Sequence, residues 1–238
     1  MKRLRCLIIG ASMCMPSFDI AYEDTWPYKI IRKYPDIDFI DKNRRSSSAR
    51  RLITEGALEK GYDLLEYYKP DFVITHFGIT DCAPRLLKRE WISTRVLNHL
   101  PFSKCIYDII RRIKGRTISC SDISKETFYD CFSQYATRAK ESHTHVFCVK
   151  IAHTGASLIK KSPHIIEAID LYNKEFDRLA ANFSNVTVID PYPKDADLQQ
   201  LLIKDDQHPN EKGSDIMFHS IINALEPYLQ EKMGNDET

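Results

Sequence analysis

The chain has 238 residues, 43% of them hydrophobic, which suffices for one sizeable α/β core, so we expect a single domain over residues 1–238. Its 34 basic and 33 acidic residues leave a formal net charge of +1, and this balance calls for no nucleic-acid or anionic-membrane partner. The apolar run at 4–9 contains Arg5 and is too short for a signal sequence or a membrane span. We therefore expect a cytoplasmic protein.

Cysteine usage points in the same direction. The 7 cysteines form an odd set without a Cys-x-x-Cys pair, and the histidines do not cluster. This pattern disfavours both a disulfide framework and a structural zinc site, so reduced thiols and no bound metal are expected.

Apolar, β-branched runs alternate along the chain with segments of helical periodicity. The five predicted strands lie at 4–9, 37–40, 72–75, 146–151 and 186–189. The main predicted helices lie at 48–68, 127–142, 165–183 and 211–229. Such alternation predicts a parallel sheet with helices on both faces.

The stretch at about 84–124 interrupts this alternation. Its length of about forty residues exceeds an ordinary connection, and long loops are more often functional. It contains the aromatic residues Trp91, Phe102 and Tyr107 and a basic run at 111–116. Because it leaves the carboxyl end of the third strand, we predict a helical lid over or beside a site. A helical insertion with a solvated basic face is the alternative.

Two segments at opposite ends of the chain carry the groups of a nucleophilic site. The sequence Gly-Ala-Ser at 10–12 ends the first strand, at the edge where open α/β sheets bind ligands. The hydroxyl of Ser12 needs a base to take its proton and a third group to orient that base. His208 can be the base, and Asp205, three residues earlier, can reach its far nitrogen, with Asp206 as a rival. Alone, such a serine would more often be a turn or cap residue.

The order and spacing of these segments resemble the SGNH/GDSL hydrolases over nearly the whole chain. Members of that family carry Gly-Asp-Ser after strand one, a glycine in a second block, Gly-x-Asn-Asp after a middle strand, and Asp-x-x-His near the end. The corresponding segments here are Gly10-Ala11-Ser12, Ser46-Ser47-Ser48, Gly78-Ile79-Thr80-Asp81 and Asp205-Asp206-Gln207-His208. The chain departs from the family pattern at Ala11, at Thr80, and in a second block without glycine.

The resemblance implies a flavodoxin-like, three-layer α/β/α sandwich with a five-stranded parallel sheet in the order 2-1-3-4-5. It implies a serine esterase in which Ser12 is the nucleophile, His208 the general base and Asp205 the group that orients it. A small acyl group is expected, most readily acetyl on a carbohydrate, with no metal or organic cofactor. An acyltransferase using the same triad and a non-catalytic carbohydrate-binding or assembly protein remain alternatives. The oligomeric state is left open.

The altered blocks bear on the oxyanion hole. The resemblance assigns its donors to the backbone N–H of Ser12, the N–H of Ser46 and the hydroxyl of Thr80, although the register of the second block is open by a residue or two. A serine that replaces glycine is strained wherever φ is positive. Thr80 is equally consistent with a loop or helix cap.

Substrate recognition is less directly encoded. The segment 22–28 combines aromatic rings with carboxylates, which suits a sugar, although it could equally staple the first helix to the sheet. Arginines at 44 and 45 could meet an anionic group. The third-block carboxylate is expected to brace its loop rather than to react. The candidate substrate-binding residues are Tyr22, Trp26, Arg45, Asp81 and His153.

Overall fold

A five-stranded parallel sheet forms the centre of the protein. The computed structural model describes residues 3–17, 19–54, 60–85, 87, 96, 99, 100, 102–114 and 120–234. The strands are β1 (Arg5–Gly10), β2 (Asp38–Asp41), β3 (Phe72–His76), β4 (His145–Val149) and β5 (Val186–Ile189). Their order is β2-β1-β3-β4-β5 with all pairs parallel, which confirms the predicted topology.

Helices connect the strands and cover both faces of the sheet. They are α1 (Trp26–Lys33), α2 (Gly61–Tyr68), α3 (Ile79–Cys82), α4 (Ser103–Lys114), α5 (Lys125–Glu141), α6 (Ala156–Lys161), α7 (Ile165–Asn182), α8 (Leu198–Leu201) and α9 (Glu211–Gly234). Within the described chain, no helix is both long and apolar enough to cross a bilayer.

The core consists of two apolar layers, one on each side of the sheet. Helices α2, α5 and α7 pack against one face, and α1 and α9 against the other. Along β1, Leu7 and Ile9 belong to the first layer, whereas Cys6 and Ile8 belong to the second, because successive side chains point to opposite faces. Burial on both faces explains why the inner strands β1, β3 and β4 read as continuous apolar runs. The three-layer α/β/α sandwich is therefore confirmed.

The predicted helix at 48–68 is wrong in its first half. The chain forms a short 3-10 turn at Ala49–Leu52, and α2 begins only at Gly61. The hydroxyl of Ser48 caps that turn by accepting the Arg50 N–H at 3.3 Å. Gly61 packs so closely on the turn that a Cβ there would lie 2.6 Å from the Leu52 carbonyl oxygen. These contacts replace the continuous helix, and residues 55–59 lie outside the described residues.

Strand β4 is shorter than predicted. It ends at Val149, two residues before the expected end at Ile151. The side chain of Asn173 on α7 accepts the Ile151 N–H and donates to the Ile151 carbonyl, both at 2.9 Å. Ile151 therefore satisfies its backbone through a side chain instead of a neighbouring strand.

The predicted insertion at 84–124 is described only in part. Trp91 and the side chain of Tyr107 lie outside the described residues, and Phe102, just before α4, is exposed. At the base of the insertion, Arg85 and Cys120 exchange two backbone hydrogen bonds of 2.8 Å. These two hydrogen bonds therefore hold the two ends of the insertion side by side. Its role as a lid stays a prediction.

Candidate active site

Ser12 lies directly beyond the carboxyl end of β1, an inner strand of the sheet. The Ala11 N–H donates to the His76 carbonyl at 3.0 Å, and a 3-10 turn, Ser12–Cys14, follows. A Cβ at Gly10 would approach Cys14 Sγ to 2.5 Å and the His76 carbonyl oxygen to 3.0 Å. Glycine thus permits the close turn that presents the Ser12 hydroxyl at the edge of the sheet.

The structure brings together Ser12, His208 and Asp205. Ser12 Oγ lies 2.8 Å from His208 Nε2, and His208 Nδ1 lies 2.5 Å from Asp205 Oδ2. A carboxylate can only accept, so Nδ1 carries a proton and donates it, which leaves Nε2 of the neutral ring to accept the Ser12 hydroxyl. The arrangement can therefore take a proton from the serine.

The Asp205 carboxylate is well stabilised as an anion. Its Oδ1 accepts the backbone N–H groups of Gln207 and His208, each at 2.9 Å. Partial burial acts to raise the pKa of Asp205, but the hydrogen bonds from the backbone and ring of His208 and from Gln207 outweigh it and hold the pKa below its usual value. Asp205 is thus ionised at neutral pH.

Asp206, the rival carboxylate, points elsewhere. Its Oδ2 accepts the N–H of Ser157, in the first turn of α6, at 2.7 Å instead of facing the imidazole. The geometry therefore favours Asp205 as the partner of His208.

The third block is held by its own glycine and carboxylate. Gly78 has φ 127°, and a Cβ there would lie 2.4 Å from Ile151, so a larger residue is excluded twice over. Asp81 is fully buried and accepts the Ala49 N–H at 3.1 and 3.2 Å. Asp81 thus ties the third block to the second. Of its two suggested roles, bracing the loop fits this burial, and contact with a substrate does not.

The second block shows the strain expected of serine in place of glycine. Ser46 is exposed and has φ 58°, a left-handed conformation that disfavours residues other than glycine, asparagine and aspartate. Thr80 is nearly buried in the first turn of α3, and its carbonyl accepts from the Arg85 guanidinium at 3.4 Å. Whether either group binds an oxyanion stays a prediction.

No family model and no curated protein matches the chain. Among solved structures, 68 chains match. An esterase from Pseudoalteromonas sp. is 14% identical, with a TM-score of 0.59 over 95% of this chain and 98% of that chain. An acetylxylan esterase from Geobacillus stearothermophilus is 13% identical, with a TM-score of 0.60 over 94% of both chains. A G-D-S-L family lipolytic protein from Veillonella parvula is 12% identical, with a TM-score of 0.54 over 92% of this chain and 97% of that one. The chain has the fold of the GDSL esterases.

Within this GDSL-esterase fold, the two aromatic candidates for substrate binding have different environments. Tyr22 is 46% exposed and contacts Tyr28 edge to face, with ring centroids 5.0 Å apart. Trp26 is buried and packs near His76 at a centroid distance of 6.1 Å. Trp26 therefore fastens α1 to the sheet, which corrects its assignment as a substrate contact. Tyr22 stays a candidate.

The two basic candidates are both engaged within the protein. The Arg45 guanidinium donates to the Pro16 carbonyl, so it links the second block to the segment after the serine turn. His153 Nε2 lies 2.7 Å from Asp170 Oδ1, and its side chain is 45% exposed. His153 lines an open cleft of about 590 Å³ at the carboxyl ends of β4 and β5, together with Lys150, Asp190 and Tyr192.

A second, much smaller cavity lies among the residues that flank Ser12 in sequence. Its volume of about 10 Å³ is close to that of a single water-sized sphere. The cavity is bounded by residues on either side of Ser12 and by the residue before His208, and its walls are largely apolar. The lining residues are Ala11, Met13, His76, Phe77, Ile79, Ile151, Ala152 and Gln207.

His76 is a feature of the site that sequence reasoning missed. It is fully buried, and burial lowers its pKa to about 4, so the ring is neutral at physiological pH. Its Nδ1 has no hydrogen-bond partner among the described residues. Its position at the carboxyl end of the third predicted strand could have indicated a place near the site, since β3 lies next to β1 and the sheet pairs His76 with Gly10.

Proposed function

We propose that this protein is a serine carboxylic ester hydrolase that uses Ser12, His208 and Asp205. The observation that carries the proposal is the unbroken chain of hydrogen bonds from the Ser12 hydroxyl through the imidazole to the Asp205 carboxylate, 2.8 and 2.5 Å long. These hydrogen bonds lie at the carboxyl edge of the sheet, where ligands bind in open α/β folds. The shared fold of structures described as esterases supports the same reading.

The proposed reaction proceeds in two stages. His208 Nε2 takes the hydroxyl proton while Ser12 Oγ bonds to the ester carbonyl carbon, and the carbonyl π electrons move onto oxygen. Collapse of this intermediate breaks the bond to the alcohol oxygen, which receives the proton from Nε2. Water then repeats the sequence on the acyl-enzyme and releases the carboxylic acid. Asp205 keeps the imidazole oriented and stabilises its protonated form.

The developing oxyanion needs hydrogen-bond donors. The backbone N–H of Ser12 donates to no acceptor among the described residues, so it is available for this role. We assign the Thr80 hydroxyl as a second donor and the Ser46 N–H as a third, in the positions where related blocks carry asparagine and glycine.

The small cavity bounded by Ala11 and Met13, the neighbours of Ser12, supports a short acyl group. With about 10 Å³ of free volume and apolar walls, it suits the methyl of an acetyl group better than a longer chain. The larger cleft adjoins it, because Ile151 and Ala152 line both. We place the alcohol portion of the substrate, a saccharide, in that cleft near His153. Two proteins of the same fold are described as an acetylxylan esterase and a carbohydrate esterase.

Fluorophosphonate labelling followed by peptide mapping tests the nucleophile. The expected result is one modified peptide containing Ser12, with no label in Ser12→Ala and full label in Ser133→Ala, which alters a serine of α5 outside the proposed site. Turnover of 4-nitrophenyl acetate should exceed that of the octanoate ester. A protein that neither labels nor hydrolyses would be a carbohydrate-binding relative, the second candidate favoured by the positive φ of Ser46. Acyl transfer to an added sugar in preference to water would instead identify an acyltransferase.

A further inference from the structure

Asp206 has an unusual backbone conformation inside the triad turn, the turn at 203–208 that carries Asp205 and His208. It lies between Asp205 and His208 with φ 58°, in the left-handed region that residues other than glycine enter uncommonly, aspartate and asparagine most readily among them. The reaction described above gives Asp206 no task. Its conformation therefore requires another explanation.

Asp206 fastens the triad turn to the beginning of α6. Its Oδ2 accepts the Ser157 N–H at 2.7 Å, and its carbonyl accepts the Gly155 N–H at 2.8 Å. Hydrogen bonds from the Ser157 side chain and backbone lower the pKa of Asp206, so the carboxylate is charged at neutral pH. A charged acceptor makes the stronger kind of hydrogen bond.

Gly155 leaves room for this carboxylate because it has no side chain. A Cβ at Gly155 would lie 2.5 to 2.8 Å from three side-chain atoms of Asp206, closer than atoms can approach. The backbone at Gly155 has φ −74°, which any residue adopts. Glycine is therefore required here by contact with Asp206 and not by backbone conformation.

The other hydrogen bonds of the turn mostly stay within it. Asp205 accepts from Gln207 and His208, and the Ile203 N–H donates to the His208 carbonyl at 2.9 Å. Among the described residues, the hydrogen bonds that join the turn at 203–208 to the rest of the chain are the one at Ser12 and those that Asp206 accepts from Gly155 and Ser157. The position of the imidazole relative to the serine therefore depends on Asp206.

We propose that Asp206 is a positioning residue. Its hydrogen bonds to Gly155 and Ser157 at the start of α6 hold the triad turn in place and so fix the Asp205–His208 pair against Ser12. This inference rests on the proposed esterase function, since Asp206 acts on the ester only through His208. Loss of these hydrogen bonds lets the imidazole move away from the serine, and small displacements of a reacting group can slow a reaction by about 100-fold.

Two substitutions of Asp206 separate the effect of its side-chain hydrogen bond from the effect of its backbone conformation. Asp206→Gly keeps the left-handed φ without strain but removes the carboxylate, whereas Asp206→Asn keeps both a side-chain acceptor and tolerance of that φ. With 4-nitrophenyl acetate, we expect Asp206→Gly to lower kcat by about 10-fold or more with KM within about 2-fold, and Asp206→Asn to restore most of kcat. Lys204→Ala, an exposed neighbour in the same turn, is the matched control and should match the wild type.

A double-mutant cycle tests the contact directly. Gly155→Ala should push the carboxylate away and lower kcat on its own, but it should cost little in an Asp206→Gly background, where the colliding atoms are gone. Rates are normalised to fluorophosphonate-reactive sites, and thermal midpoints are measured in parallel. A merely structural role would lower the midpoint and the number of reactive sites while leaving kcat per site unchanged.

The outcomes distinguish this inference from the function on which it rests. Wild-type turnover by Ser12→Ala would overturn the esterase mechanism and the positioning role with it. An inactive Ser12→Ala together with a wild-type kcat in Asp206→Gly would overturn the positioning role alone. Strictly additive effects of Gly155→Ala and Asp206→Gly would also overturn it, because the two groups would then act independently.

Discussion

The buried imidazole of His76 makes the stability of the protein depend on pH. Burial lowers its pKa to about 4 in the folded state, against 6.5 for an exposed histidine. Well above pH 6.5 the ring is neutral in both states, and its burial then adds no dependence on pH. As the pH falls from 6.5 towards 4, the His76 ring binds a proton in the unfolded state but stays neutral in the folded state, so the free energy of unfolding decreases. The loss is about 2 kcal/mol at pH 5 and about 3 kcal/mol below pH 4.

His76→Leu removes this titration while filling a similar volume. Urea unfolding at pH 7 and pH 5, followed by the fluorescence of Trp26 next to the ring, gives the free energy of unfolding by linear extrapolation. The wild type should lose about 2 kcal/mol more than the variant between the two pH values. His164→Leu, which removes a half-exposed histidine, separates loss of the buried ring from loss of any histidine. Equal losses in the wild type and His76→Leu would refute the reasoning.

Three further predictions concern catalysis. Asp205→Asn should lower kcat on 4-nitrophenyl acetate by about 10³-fold or more, because an amide no longer selects the Nδ1–H tautomer; near-normal turnover would exclude Asp205 as the orienting group. Thr80→Val should lower kcat by about 10-fold with KM unchanged, while Thr80→Ser keeps the hydroxyl and most of the rate. An unaltered kcat in Thr80→Val would leave the oxyanion to backbone donors. Replacing residues 87–118 by a short Gly-Ser linker spares the hydrogen bonds between Arg85 and Cys120 and should raise KM for a large saccharide ester far more than for the aryl acetate. Unfolding, or equal loss for both substrates, would make the segment part of the core.

The sequence by itself determined the sheet and the approximate place of the proposed chemistry. Strands buried on both faces must be apolar at nearly every position, so the runs of the inner strands β1, β3 and β4 were visible without structural information. The spacing of Asp205 and His208 lets one turn bring a carboxylate to a ring nitrogen, and this local geometry needs no long-range contact. The glycine at position 78 is also legible in the third block, since its φ of 127° excludes most side chains.

Tertiary structure alone decided which polar and aromatic residues face the site. Trp26 and Asp81 looked like substrate contacts, but packing against the sheet buries the first and a hydrogen bond to Ala49 occupies the second. The choice between Asp205 and Asp206 depended on α6, because Ser157 lies far away in sequence and close in space. Burial, and with it the lowered pKa of His76, is a property of everything packed around a residue. Such surroundings are assembled from distant segments, so local sequence does not record them.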